Sequence, residues 1–503
     1  MGVVLTNKTS YNYAVESTFK TQPTSGWKAL EPNTVGKFSA DYTKVARSPI
    51  TKDRLARKGA TVNVTSGVEI ETDVTRSAFR DFLESYMFAT ATGLQGTAVF
   101  APTAVVDGGV SADSFTVAAD GDLLENTLIY ARGFTTTANN GVFTVTTGST
   151  ATSIKVPTAT LTAEASPPSN AEVAVCGVVG AAGDFEVDAS GNIISTTLDF
   201  TTLGLTVGQY VYLPAAASTY GFALAGNEGL ARLDAIAAHT LTLSHKTNTF
   251  QADDGTDTGS GGTNKQVRIY FGQFVRNYDV DDASFLEQSI HFEQVAPNLG
   301  TGGATRYRYA AGNYANEMTI NAPVTDKATF NFAFVGTLVG DPTATRATLG
   351  SGEPIDPNST TLYSTATNIS RLRVIETDET GVESDFTDVK MTIANAVTPS
   401  NVLGTLGAKY INYGMFSCMV DASVIFTNED LLTAISANRT MSWDMFLKND
   451  DGGVILEMPS VMIEGGDLKL DVNQEVKAAF KMTAFKDSTL GYALGVSYFP
   501  YLP

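Results

Sequence analysis

Apolar and polar positions alternate most clearly between Gly59 and Asp73. Val62 and Val64, then Val68, Ile70 and Thr72, fall at every second place, with Glu69, Glu71 and Asp73 between them. A period of two puts one set on a buried face and the other on a polar face of a β-strand. Ser66-Gly67 interrupts the run and predicts a β-bulge that bends it. Ala78, Phe79, Phe82, Leu83, Tyr86 and Met87 then recur at three- and four-residue steps, which predicts an amphipathic helix begun near Asp73 or Thr75. Strand passes into helix with almost no loop.

The same step returns later. Phe416 to Thr427 alternates as a strand and runs into a second helical stripe of Leu431, Leu432 and Ile435, which Thr427 or Asn428 would cap. Met441, Trp443, Met445 and Leu447 then alternate with Ser442, Asp444, Phe446 and Lys448, a strand with one apolar and one polar face. Further strands are expected near Trp27 to Phe38, Val267 to Val275, Ser284 to Val295, Arg306 to Asn321 and Asp326 to Gly336. Met318, Ile320, Phe330 and Phe332 match Leu468, Leu470, Phe480 and Met482 at an ungapped distance of 150 residues. These echoes predict a duplicated β-domain whose copies each carry a flanking helix.

Between the two parts of the first copy the pattern changes. From Gly93 to about Asn264 charge thins while Ala, Thr and Gly rise, and Gln251 to Thr263 is a polar Gly-rich linker. Leu123 to Gly133 lines up with Leu205 to Ala215, Gly141 to Val145 with Gly229 to Leu233, and Ala151 to Val156 with Ala238 to Leu243. Short alternating strands repeated in this way predict two inserted small β-barrel modules. The expected fold is therefore mainly β. Residues 1–93 with 265–340 make a first sandwich or barrel domain, 94–180 and 181–264 the two insertions, 341–368 a connector, and 369–503 the second copy.

Composition narrows the possible functions. The chain has 503 residues, a formal net charge of −20 and only 17% charged residues, which argues against tight wrapping of nucleic acid but allows nucleic acid to pass a repelling channel. The two cysteines, Cys176 and Cys418, belong to no paired motif and are expected as buried free thiols. No secretion signal and no bilayer-spanning run is visible, so a soluble product made in a cytoplasm is expected, with no stable membrane association. The three histidines, His239, His245 and His291, lack zinc-ligand spacing, and no nucleophile elbow or P-loop occurs. No catalytic residue, cofactor or metal is expected. Asp253 to Asp257 and Asn449 to Gly453 have turn chemistry without a closing calcium-loop glutamate.

Two groups of charged residues stand out as candidate surfaces. Glu69, Glu71 and Asp73 form an acidic strand face, better suited to solvent or a channel than to acid–base catalysis. Ser39 to Lys58 is expected as a loop holding Lys44, Arg47, Lys52, Arg54, Arg57 and Lys58 against Asp41 and Asp53, a basic patch suited to an acidic neighbouring copy.

The stretches Tyr11 to Phe19, Gly26-Trp27, Ala46 to Arg54, Arg57 to Ala60 and Ser66 to Ala89 resemble the major tail tube proteins of long, non-contractile-tailed bacteriophages. Ala138 to Val145 and Thr152 to Val156 resemble a module added to such proteins. The resemblance implies a β-sandwich whose strands join neighbouring subunits into an inner barrel, an outer helix, and stacked rings around a lumen through which DNA leaves the virion. The acidic face would then line the lumen, and the basic loop would contact adjacent subunits or rings. The protein's partners would be itself, as a trimeric pseudo-hexamer in preference to a hexamer, and the tape-measure and tail terminator proteins, with phage DNA only in transit. A surface adhesin or decoration protein binding host glycans is the alternative, and a polysaccharide-cleaving enzyme a weaker one, since the aromatic residues alternate into cores such as Phe330, Phe332 and Phe334 rather than lining a groove.

Overall fold

The computed structural model describes residues 8–47, 50, 52, 55, 57–95, 98–99, 103–257, 263–297, 304–347, 349, 354–356, 361–376, 381–382, 385–426, 430–469 and 475–503. The chain is mainly β and divides into two compact units. One holds Met1–Ala89, Asp281–Thr365 and Thr387–Ser423, the other Thr90–Val280, Ala366–Phe386 and Val424–Pro503. Arg54, the Thr427 or Asn428 cap, Leu470 and the centre of the Gly-rich linker lie outside the described residues.

The first unit is built on an antiparallel run of strands. In order across the sheet these are Ser10–Glu16, Ser289–Ala296, Arg306–Pro323, Thr329–Gly336, Arg57–Asp73 and Thr34–Arg47. Val68, Ile70 and Thr72 point inward beside Phe334, Phe332 and Phe330, as their alternation requires. On that face lies the helix Arg76–Met87, whose Phe82, Leu83 and Tyr86 are fully buried. Phe82 meets the rings of Tyr13 and Phe332, each at 4.7 Å between centroids. Thr75 is the N-cap residue in extended conformation, but its side chain makes no capping bond.

Two expectations for this region are corrected. Ser66-Gly67 forms no bulge, because both residues keep an unbroken ladder with Gly336 and Val335. Glycine is needed at 67 for another reason: a Cβ there would stand 2.8 Å from the Phe334 carbonyl oxygen. The irregularities fall elsewhere, at Gly36 and near Val62 and Ala46. Nor is Ser39 to Lys58 a loop. The strands Thr34–Arg47 and Arg57–Asp73 pair as far as Arg47 opposite Arg57, so most of the described residues in this stretch are strand. Both faces of the outer hairpin are exposed, which removes the alternation by which a strand is recognised.

In the second unit, strands Ile369–Glu376, Met441–Asn449, Gly452–Lys469 and Lys477–Ala484 repeat the same order. The likeness extends to a bulge. Phe292 pairs with Ala310 and Ile290 with Asn313, just as Trp443 pairs with Met458 and Met441 with Val461. Tyr314 opposite Val335 likewise matches Met462 opposite Thr483. Along Arg306–Pro323 and Thr329–Gly336, where the sequence echo lay, the structural offset of these pairs is 148, not 150, and Leu468 is 42% exposed where Met318 is fully buried. A slip of two residues preserves which side chains face inward, so sequence alternation alone could not separate the two registers.

The inserted strands belong to the second unit. Their repeat is visible in the pairing: Ala131 with Gly141 and Leu128 with Thr144 correspond to Leu213 with Gly229 and Tyr210 with Arg232. Strands Glu172–Val179 and Arg268–Tyr270 pair antiparallel and join the modules into one sheet over a shared core. Among the described residues neither module closes into a barrel. A second cluster packs Tyr210 and Leu230 of the insertion, together with Tyr270, on Phe446, Ile455 and Phe499. Ser442, Asp444 and Phe446 are therefore buried, and Met441–Asn449 has two dry faces where the sequence predicted one.

Candidate interaction surfaces

The candidate acidic residues lie on the sheet face opposite the helix. Glu69 stands between Lys37 and Ala333, and Glu317 continues the row beyond Ala333. Glu71 lies between Thr34 and Asn331, followed by Thr319 and Thr392. Asp73 adjoins Thr329, then Asn321 and Lys390. The structure thus gathers all three residues on one polar surface, which is not uniformly acidic. Lys327 approaches Asp73 to 2.6 Å and Asn33 donates a hydrogen bond to it, so Asp73 is largely compensated. Glu69 is exposed and Glu71 half-buried.

Of the candidate basic residues, Lys44, Arg47, Arg57 and Lys58 are on the exposed hairpin and Lys52 is in its turn. Tyr42, Val45 and Val62 share this hairpin and are 48%, 55% and 53% exposed. Cationic and apolar groups presented together suit contact with another macromolecule.

Sequence reasoning missed two buried ionic groups that occupy equivalent places in the two units. In the first, Glu293 opposite Asn12 is bound by Asn12 Nδ2 at 2.7 Å, the Tyr309 hydroxyl at 2.8 Å and Arg346 at 2.8 Å. Nearby Glu16 accepts hydrogen bonds from Ser289, His291 and the Gly312 amide. In the second, Asp444 opposite Arg373 holds Arg371 at 2.7 Å and Arg373 at 2.8 Å. Beside it Glu457 holds Arg232 at 2.7 Å and the Tyr210 hydroxyl at 3.0 Å. The only sequence signal was a carboxylate inside an otherwise apolar strand.

These groups respond oppositely to acid. Burial would raise Glu16 and Glu293, but bonds from His291 and Ser289 to the one, and Arg346 and Asn12 to the other, hold both below the ordinary 4.5. Their stabilisation is present above that value and is lost as pH falls through the lowered ones. Burial instead raises Glu457, so its ionisation opposes folding and acid relieves that cost. Asp184, Asp188 and Asp487 of the second unit are lowered from 3.8 by their hydrogen bonds despite burial, and their stabilisation too is lost as pH falls. Burial, with Arg232 beside it, pushes His245 down to about 2. The second unit therefore carries opposing responses, because below about 6.5 unfolded His245 takes up a proton that the folded side chain refuses, while folded Glu457 takes one up more readily than the unfolded chain. Trp27 and Trp443 are both buried, one in each unit.

Among the described residues no group of three or more His, Cys, Asp or Glu side chains is arranged to hold a metal ion. No helix among them is long and apolar enough to cross a membrane. A family model described as "Phage tail tube protein" matches residues 250–484, a span that starts at the end of the insertion and takes in strands of both units. No curated protein matches the chain.

Proposed function

We propose that this chain, whose residues 250–484 match the phage tail tube protein family, is a tail tube protein that polymerises into stacked rings that conduct DNA from the virion into the host. It is a structural component of the virion tail. The observation that supports ring formation is one strand pairing. Asp385–Ala394 leads toward the second strand-to-helix step, yet it pairs with Arg306–Pro323, Glu317 opposite Ala394 through Pro323 opposite Asp388. Thr34–Arg47 holds the same place before the first step. The same pairing from Thr34–Arg47 of one copy onto Gly452–Lys469 of the next would continue the sheet from chain to chain and cover its edges.

Each chain would then contribute two tube-forming halves, 1–93 with 265–340 and 369–503, joined by 341–368 and interrupted by the modules 94–180 and 181–264. Three chains would close a pseudo-sixfold ring. The face bearing Glu69, Glu71 and Glu317 would line the lumen, since the helix covers the other side, and its excess negative charge would discourage DNA from adhering. The Lys44 to Lys58 hairpin would contact adjacent copies, and a tape-measure protein and a tail terminator would meet the lumen and the tube end. Electron micrographs of assembled protein test this directly. Threefold rings with two alternating kinds of lobe are expected, whereas six identical outward lobes would rule out three chains. Protein that stays monomeric and binds host cells would favour the adhesin.

A further inference from the structure

One unit fills a hollow that the other leaves open. After the first helix, Phe88 takes a left-handed conformation at φ 47° and packs on Phe285 and Tyr413, with ring centroids 5.6 and 5.4 Å away. Tyr314 and Val335 adjoin it, and Val397 and Ile411 close over them. Val397 immediately precedes, and Ile411 belongs to, the hairpin made by Thr398–Asn401 and Ala408–Asn412, whose Gly407 lies against the Thr337 carbonyl.

The second unit contains the same positions with other residues. Asn438 follows the helix Asp430–Ser436 at φ 48°, and the Arg439 amide bonds the Ala434 carbonyl as the Ala89 amide bonds that of Glu84. By the offset of 148, Met462, Thr483 and Phe485 stand for Tyr314, Val335 and Thr337. Here they line, with Asn438, Thr440 and Val461, an open concavity of about 390 Å³. Met462 and Phe485 are 38% and 43% exposed, and the Arg439 side chain turns to an ion pair with Glu376.

We propose that this concavity receives the hairpin of residues 41–63 from another copy of the chain, an inference that rests on ring assembly. The internal precedent identifies the occupant. What covers the hollow in the first unit is the connection between Asp385–Ala394 and Ser417–Ile425, the strands before the second helix. Its counterpart before the first helix is the connection between Thr34–Arg47 and Arg57–Asp73, and this is the hairpin that exposes Tyr42, Val45 and Val62. Apolar side chains meeting an apolar hollow on a different part of a second copy make a head-to-tail contact, the kind that closes into a ring.

Cross-linking tests the contact. The two native cysteines are buried, Cys176 fully and Cys418 at 1% exposure, and remain out of the reaction. A chain carrying Tyr42→Cys and Met462→Cys, oxidised after assembly, should give a ladder of linked chains on denaturing gels, and neither single variant should. Val45→Cys with Phe485→Cys serves as a second pair. Rings seen by microscopy that yield no ladder with either pair would overturn the docking site and leave ring assembly standing. Wild-type protein that forms no rings would overturn both.

Discussion

Asp444→Ala is expected to destabilise the second unit by about 3–5 kcal/mol, enough to unfold it or nearly so. The carboxylate is fully buried and takes hydrogen bonds from Arg371 Nε at 2.7 Å, Arg371 Nη2 at 2.9 Å and Arg373 Nε at 2.8 Å. Both guanidiniums also donate to the His245 carbonyl, at 3.1 and 2.9 Å, which ties the insertion to the strand Ile369–Glu376. Removing Asp444 leaves two like charges side by side and shielded from water. The penalty is that of uncompensated charge and exceeds what the pair itself contributes. Lys486 and Asp279 supply the control: their ion pair is more than half exposed on each side, and Lys486→Ala should cost less than about 1 kcal/mol. Urea titrations followed by Trp443 fluorescence make the comparison. Equal midpoints for the two variants would mean that the buried cluster does not hold this unit together.

How far the sequence could be read depended on whether a strand has one wet face. Val68, Ile70 and Thr72 against Glu69, Glu71 and Asp73 made the central strand legible, and Phe82, Leu83 and Tyr86 did the same for the helix above it. Where both faces are exposed, as along Tyr42 to Arg47 and Arg57 to Val62, no pattern remains, and the hairpin passes for a loop. Where both are buried the pattern misleads. Asp444 and Ser442 read as solvent-facing because the residues that cover them, among them Arg371 and Tyr210, come from remote segments. The duplication was legible as alternating apolar positions but not to the correct register, since a two-residue shift leaves that pattern unchanged. The candidate acidic face showed the reverse limitation. Glu69, Glu71 and Asp73 were legible as a stripe, but Lys37, Lys327 and Lys390 reach it only through pairing and folding.

Phe82→Ala should cost the first unit about 3–5 kcal/mol while leaving the second largely unaffected. Phe82 is fully buried, and besides Tyr13 and Phe332 it approaches Phe334 at 5.7 Å and Phe292 at 6.4 Å. Alanine would leave a void framed by four rings that stand on strands of one sheet and cannot close together. The helix has little to resist with, because twelve residues with no side-chain cap are marginal alone and depend on this face for their order. Phe82→Leu retains most of the volume and should cost about 1.5 kcal/mol or less. Urea titrations followed by Trp27 fluorescence in a Trp443→Phe background should therefore rank the wild type, the leucine chain and the alanine chain in that order. Loss of the helix would also expose the inner face of the strands that carry Glu69 and Glu71, so the alanine chain should fail to form rings under conditions where the leucine chain still does. Normal rings built from the alanine chain would show that the wall keeps its shape without the aromatic cluster, and that the sheet is ordered by contacts between copies instead.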